Sequence, residues 1–152
     1  MIKPELSLLC EIEVQLGPVI EIGDSPRGRR RIIPIIGGNF RGEKFSGTVA
    51  DVGADWHTVF PGSMSELDTR YCLLTHDGAS VDIRNYGFRH GPEEVIAALA
   101  RGEDVDPSLY YMRTHCRFET GDPRYAWLNH TICIGSGVRK ASAVHIAIYA
   151  VS

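Results

Sequence analysis

The sequence has few of the features that mark a membrane protein or a secreted, disulfide-stabilised domain. No apolar run approaches the roughly 20 residues that a membrane-spanning helix needs. The opening stretch, MIKPELSLLCEIEVQ, carries acidic residues where a signal peptide has its apolar core, and it has no small-residue cleavage site. The four cysteines lie far apart on strand-like segments, which is typical of small buried residues rather than of disulfide partners. We therefore expect a cytoplasmic protein that does not bind a membrane.

The short motifs of metal, nucleophile and nucleotide chemistry are also missing. The six histidines show no HxH or HExxH spacing, and the four cysteines form no CxxC pair. There is no GxSxG nucleophile motif, and neither GxGxxG nor a phosphate-binding loop occurs. The sequence therefore predicts neither a metal site nor a cofactor.

The charge balance gives no sign of a nucleic-acid partner. The formal net charge is −3, and the basic run from Arg27 to Arg31 is short and has no interleaved aromatic residues. Such a run most often lies on a solvated turn and strand entry. The alternative is that one of these arginines contacts an anion or a carboxylate.

The sequence does contain a series of strand-like segments and one convincing helix. Residues Leu6–Leu16 alternate between apolar and polar side chains, as in a half-buried strand. Further strands are predicted at Arg29–Ile36, Phe40–Val52, Leu67–Thr75, Val81–Phe88, Leu109–Thr120, Thr131–Val138 and Ala143–Val151. The helix is predicted at Gly91–Glu103, because Pro92 suits a first turn and Gly102 stops the apolar stripe. We expect this helix to cover one end of the sheet.

The number and order of these segments predict a closed barrel. A parallel sheet would need many crossover helices, and the sequence offers one helix. A long antiparallel meander usually curls and closes, which removes its exposed edges. The prediction is a single all-β domain over residues 1–152, an antiparallel barrel of about eight strands with one short α-helix. The interior of such a barrel admits packed side chains or one small ligand.

The stretch from Asp51 to Gly78 carries the first candidate site residues. We read it as a strand end, a turn at Gly53–Trp56, a loop and then a strand from Leu67. It sets Asp55 and Asp68 beside Trp56 and Arg70, and polar groups of both signs next to an aromatic are what a ligand pocket uses. The alternatives are purely structural roles, in which Asp55 caps its loop and Asp68 forms an ion pair with Arg70.

The strand Leu109–Thr120 carries the second set of candidates, because Tyr111, Arg113 and Glu119 share one face. Arg70 shares its own face with Cys72 and His76. If both faces line the lumen, they form a cavity with an arginine, a carboxylate, a histidine and a phenol. The alternative is that these faces meet water and the apolar residues fill a dry core.

Three motifs carry a family resemblance, and they keep their order and spacing over nearly the whole chain. They are GGNFRGEKFSGTVADVGADW, LDTRYCLLTHDG and YMRTHCRFETGDPRYAWLNHTI. With them the sequence resembles the domain-of-unknown-function 3237 family of mostly uncharacterised microbial proteins. The resemblance implies a small calycin-like or allene-oxide-cyclase-like barrel with a central cavity, and it implies no particular reaction. The matching positions are Gly38, Gly47, Asp55, Trp56, Asp68, Arg70, Asp77, Gly78, Arg113, Glu119, Trp127 and Asn129, while Cys116 departs from the family pattern.

Together these observations favour a cofactor-free isomerase, cyclase or lyase that acts on a small hydrophobic or aromatic oxygenated metabolite. The candidate bases are Asp55, Asp68 and Glu119, since a desolvated carboxylate has its pKa raised towards neutrality. The candidate ligand-binding residues are Trp56, Arg70, Tyr111, Arg113, Trp127 and Asn129. One alternative is a lipocalin-like protein that binds a small ligand without turnover. Another is a structural homodimer whose apolar face is its interface.

Overall fold

The chain folds into a long antiparallel sheet that is closed on itself. The computed structural model describes all 152 residues. The strands are β1 (Leu6–Leu16), β2 (Ile20–Ser25), β3 (Gly28–Gly42), β4 (Ser46–Val59), β5 (Ser65–Thr75), β6 (Ser80–His90), β7 (Tyr111–Glu119), β8 (Cys133–Arg139) and β9 (Ala143–Val151). One α-helix, α1 (Glu93–Ala100), and two 3₁₀ segments, Pro107–Leu109 and Pro123–His130, complete the fold.

Eight of the nine strands form the barrel. Its order is β1-β9-β8-β7-β6-β5-β4-β3, and pairing between β1 and β3 closes the ring. The ninth strand, β2, adds to the other side of β3. Closure pairs the backbone groups that an open sheet would leave exposed at its edges. The predicted antiparallel barrel of about eight strands is confirmed.

Three local predictions are wrong. The short strand β2 was not predicted. The predicted strands Arg29–Ile36 and Phe40–Val52 implied a break at Gly37-Gly38, but β3 continues through this pair, and Gly53–Trp56 is not a turn. Strands β3 and β4 run through both glycine positions, where their pairing registers shift. Gly38 has a φ of 135° and Gly53 a φ of 97°, so each provides the left-handed backbone of a bulge. These bulges bend long strands around the barrel, whereas the sequence pattern was interpreted as strand breaks.

Gly38 illustrates how strictly the barrel depends on one of these glycines. A Cβ atom at this position would meet the backbone carbonyl of Glu13 on β1, in the pairing that closes the barrel. We expect Gly38→Ala to lower the free energy of unfolding by about 1–3 kcal/mol, measured by urea denaturation. Gly121→Ala is the matched control, because nothing lies near its Cβ position and its φ is not positive. Equal stability of the two variants would contradict this account of the bulge.

The two ends of the barrel are filled differently. Most of a cluster of 20 buried residues forms a dry core at one end, in which Phe45 packs against Phe118 and Tyr125. Three of the four cysteines are buried, as expected of small apolar residues. No helix is long and apolar enough to cross a membrane.

Helix α1 packs at the opposite end. Its residue Leu99 joins a small cluster with Leu67, Tyr110 and Met112. The helix thus covers one end of the barrel, as its short amphipathic sequence predicted, although it is shorter than expected. The space between this small cluster and the dry core is not filled by side chains.

Candidate functional site

A cavity of about 160 Å³ lies inside the barrel beneath α1. Its apolar wall includes Leu67, Leu99, Met112 and Ile146. Its polar lining comes from six strands and consists of Arg31, Asp55, His57, Thr69, Tyr71, Asn85, Arg89, Thr114 and Arg139. An apolar chamber with a few convergent polar groups is the usual form of a small-molecule site.

Asp55 is the single carboxylate in this lining. The bulge in β4 leaves both Ala54 and Asp55 buried, and Asp55 is 8% exposed. Its Oδ1 accepts a hydrogen bond of 3.0 Å from the backbone N–H of Asp68 on β5. Burial raises the pKa of Asp55 to about 6, although the Asp68 N–H and the charge of Arg89 act in the opposite direction. Its carboxylate therefore changes protonation close to neutral pH, as a general base does.

His57 follows Asp55 on the same face of β4. It is 1% exposed, and its Nδ1 lies 3.7 Å from Oδ2 of Asp55, beyond hydrogen-bond distance. Neither ring nitrogen has a hydrogen-bond partner in the protein. Burial, together with the positive charges of nearby arginines, lowers the pKa of His57 to about 2. The imidazole is therefore neutral, and its nitrogens are available to a ligand.

Three arginines reach the cavity from different strands: Arg31 from β3, Arg89 from β6 and Arg139 from β8. Arg89 is 7% exposed, and the Nε atoms of Arg31 and Arg89 have no partner. Arg139 is held by the backbone, since its Nη1 donates to the carbonyl of Ala143 at 3.1 Å. Burial and the other two arginines lower the pKa of Arg89 to about 10, which leaves it charged at neutral pH.

A chain of hydrogen bonds at the inner side of the cavity ends at Tyr71. The side chains of Thr114 and Cys116 both donate to Oδ1 of Asn85. Burial raises the pKa of Cys116 to about 12, so the thiol keeps its proton as a donor. The amide nitrogen of Asn85 then donates to the Tyr71 hydroxyl at 3.1 Å. Because that hydroxyl already accepts this bond, its own proton is free to point to a ligand.

Most candidates from the first predicted group lie outside the barrel. Asp68 accepts two hydrogen bonds of 3.1 Å from Arg84, and Arg70 donates to Asp82 at 2.9 Å. The alternative that these two residues form structural ion pairs therefore fits the structure, but each pairs with another residue and not with the other. Trp56 is 41% exposed on the outer face of β4, because alternation along this strand places Asp55 and His57 inside.

The candidates on β7 also face outward. Tyr111 stacks on His90 with its ring centroid 4.8 Å away, and Arg113 lies over the Tyr111 ring. Glu119 is exposed at the end of the same strand face. The alternative that this face meets solvent is the one that the structure shows.

Trp127 and Asn129 lie on the 3₁₀ segment at the dry end of the barrel. Trp127 packs edge-on against Phe45, with ring centroids 6.1 Å apart. The side chain of Asn129 brackets the backbone of Thr120, accepting from its N–H at 2.8 Å and donating to its carbonyl at 3.0 Å. The structure therefore brings one predicted residue, Asp55, to the cavity and leaves the others away from it.

Sequence reasoning missed the residues that accompany Asp55. A signal was present on β6: alternation from Val81 and Ile83 leads to Asn85 and Arg89 on the same inward face. A charged or amide side chain at a position where the alternation predicts a buried apolar residue indicates a polar group inside the barrel. Arg31 belongs to the basic run for which an anion contact was the alternative, and the structure places it at the cavity.

Comparison with known proteins supports both the family and the barrel. The family model described as "Protein of unknown function (DUF3237)" matches residues 4–151. A UPF0311 protein from Rhodopseudomonas palustris is 43% identical over 147 residues, covering 97% of this chain and 96% of the relative.

Solved structures agree with this fold. The crystal structure of a conserved protein of unknown function from Rhodopseudomonas palustris has a TM-score of 0.94 at 41% identity, covering 100% of this chain and 99% of that one. A β-barrel-like protein from Acinetobacter baumannii has a TM-score of 0.88 at 42% identity, covering 100% and 98%. An enzyme from Penicillium herquei has a TM-score of 0.71 at 20% identity, covering 97% and 96%, which is a likeness of fold alone.

Proposed function

The chain belongs to the DUF3237 family, and we propose that it is an acid–base enzyme that moves a proton on a small oxygenated ring compound. Isomerisation, cyclisation and elimination all begin with such a step. The observation that carries the proposal is a single buried carboxylate, Asp55, in a cavity whose other ionisable groups are neutral or positive. Of the three candidate bases that the sequence suggested, this role uses Asp55 alone, because Asp68 and Glu119 do not line the cavity.

The first step is removal of a proton from a carbon next to a carbonyl group. The C–H bond breaks, its proton passes to the Asp55 carboxylate, and its electron pair moves towards the carbonyl oxygen to form an enolate. The proton then returns from Asp55 to a different atom or leaves with a departing group. No oxidant or reductant is consumed in this sequence.

Negative charge that develops on the oxygen needs donors in fixed positions, because a preorganised donor stabilises a transition state without reorganising. Tyr71 provides one such donor. Burial raises the pKa of its hydroxyl, so it stays protonated, and Asn85 fixes the position of its oxygen. The positive charges of Arg31 and Arg89 act in the same direction across the cavity.

Hydrogen exchange in D₂O tests this proposal with simple ring ketones. We expect the protein to accelerate exchange of the α-hydrogens of cyclohexanone or 4-oxocyclohexanecarboxylate, followed by ¹H NMR. Exchange of both at the rate of buffer alone would overturn the proposal in favour of a binding protein.

Tyr71→Phe separates the hydroxyl donor from the packing of the ring. We expect exchange to fall about 10- to 100-fold, because one donor to the enolate oxygen is removed while the arginines remain. Tyr86→Phe is the matched control: its hydroxyl donates to Glu66 at 3.0 Å, on the outer face of the barrel. Equal rates for both variants would remove Tyr71 from the mechanism, provided that both melt as cooperatively as the wild-type protein.

A further inference from the structure

The cavity carries an excess of positive charge that no residue of the protein compensates. Arg31, Arg89 and Arg139 contribute three guanidinium groups, Asp55 contributes one carboxylate, and His57 is neutral. Two positive charges are therefore in excess at neutral pH. None of the three arginines forms an ion pair with a carboxylate of the chain within 4.0 Å.

This excess is built into the barrel and is not a solvated surface cluster. The three arginines lie on β3, β6 and β8, so they approach the same chamber from different sides of the ring. Arg89 is more than nine-tenths buried, and its Nε has no hydrogen-bond partner. A buried cation without a partner is strongly unfavourable, since it has lost its hydration. An anion that enters the cavity pairs with these cations and lowers the free-energy cost of burying them.

The size of the chamber restricts what that anion carries with it. A cavity of about 160 Å³ is close to the roughly 150 Å³ of a cavity that binds benzene. Leu67, Leu99 and Met112 line it with apolar surface that suits one ring. A planar carboxylate offers two oxygen atoms, which match the paired N–H donors of a guanidinium group.

From these observations we infer that the ligand is a monocyclic organic carboxylate. Its ring lies against Leu67, Leu99 and Met112, and its carboxylate binds among Arg31, Arg89 and Arg139. This inference rests on the cavity of the proposed function and names the class of substrate for it. The carboxylate is an anchor on the arginines, while Asp55 acts on another atom of the ring.

Binding of benzoate, measured by isothermal titration calorimetry, tests the inference without any turnover. Benzamide has the same shape but no charge, and we expect it to bind about 10- to 100-fold more weakly than benzoate. Equal affinity for benzoate and benzamide, or no binding of benzoate, would overturn the inference that the ligand is a carboxylate. Inorganic phosphate is the third arm: if it displaces benzoate and binds as tightly, the arginines form an inorganic anion site instead.

Arg89→Met tests the anchor within the protein. We expect it to weaken benzoate about 10- to 100-fold and to leave benzamide unchanged. Arg84→Met is the control, because Arg84 lies on the same strand but faces outward to Asp68. Since Arg89 lacks a protein partner, the ligand-free Arg89→Met protein should melt no lower than the wild type. Unchanged benzoate affinity in a folded Arg89→Met variant would overturn the role of this arginine.

The two proposals fail separately. An Asp55→Asn variant should bind benzoate at least as tightly as the wild type, because it removes the one negative charge of the cavity. Loss of exchange activity without loss of benzoate binding supports both proposals. If the protein exchanges the α-hydrogens of cyclohexanone but does not bind benzoate, only the inference of a carboxylate ligand is overturned. If it binds benzoate but accelerates no exchange, only the acid–base proposal is overturned.

Discussion

An Asp55→Asn variant is expected to lose α-hydrogen exchange by about 10²- to 10⁴-fold, which is the usual contribution of a positioned general base. The asparagine amide cannot accept a proton from carbon at neutral pH. Its Oδ1 can still accept the hydrogen bond from the Asp68 N–H, so the bulged strand keeps its local structure. The loss should therefore appear in the rate and not in the folding of the barrel. NMR exchange and a thermal melt of the same sample measure the two quantities.

The pH profile of the wild-type protein gives an independent check of the same residue. Asp55 must be ionised to act as a base, and burial raises its pKa to about 6. Exchange should consequently increase as the pH rises through about 6 and then level off. A profile that levels off near the ordinary value of 3.8 would show that Asp55 is not the titrating base.

Asp82→Asn is the matched control for the Asp55 variant. Asp82 is also a strand aspartate, but it accepts from Arg70 on the outer face of the barrel. We expect its exchange rate to equal that of the wild type. If both variants lose activity to the same extent, the effect comes from the general charge balance, and the assignment of Asp55 is wrong.

The barrel could be predicted from the sequence because each strand is recognised from the alternation of its own side chains. Alternation of apolar and polar side chains reports which face of a strand is buried. Strand β7 shows it without interruption, and β1 shows it from Cys10 onward, after a register shift that leaves Leu6 and Leu8 exposed. The bulged strands are harder, since Gly38 and Gly53 change the register in ways that depend on the partner strand. Breaks and bulges both use glycine, and the sequence pattern does not separate them.

The candidate site was less predictable, because it depends on contacts between distant strands. Charged side chains were expected on polar faces, and this expectation favoured Arg70 and Arg113 over Arg89 as ligand-binding residues. Arg89 and Asn85 stand in an apolar register, but one strand does not show whether such a residue meets a cavity. That requires Arg31, Arg139 and the barrel closure that brings them together.

The opposite pKa shifts of Asp55 and His57 predict an unusual pH dependence of stability. Between 3.8 and about 6 the folded protein keeps a proton on Asp55 that the unfolded chain has released. This contribution is therefore lost as the pH rises. Between about 2 and 6.5 the folded protein keeps His57 neutral while the unfolded chain binds a proton. That contribution is lost as the pH falls, so the two oppose each other around pH 4 to 6.

Single substitutions should expose each contribution in turn. Between about pH 4.5 and 6.5 each residue changes the free energy of unfolding by roughly 2 kcal/mol, in opposite directions. Relative to the wild type, Asp55→Asn should lose stability towards acid, and His57→Phe should lose it towards neutral pH. In the double variant, the free energy of unfolding, measured by urea denaturation at each pH, should depend on pH as it does in the wild type. If the free energy of unfolding of a single variant has the same pH dependence as that of the wild type, the pKa shift of the substituted residue is contradicted. The balance has a chemical consequence: at neutral pH it leaves an ionised carboxylate beside a neutral imidazole, which is the state that a base needs.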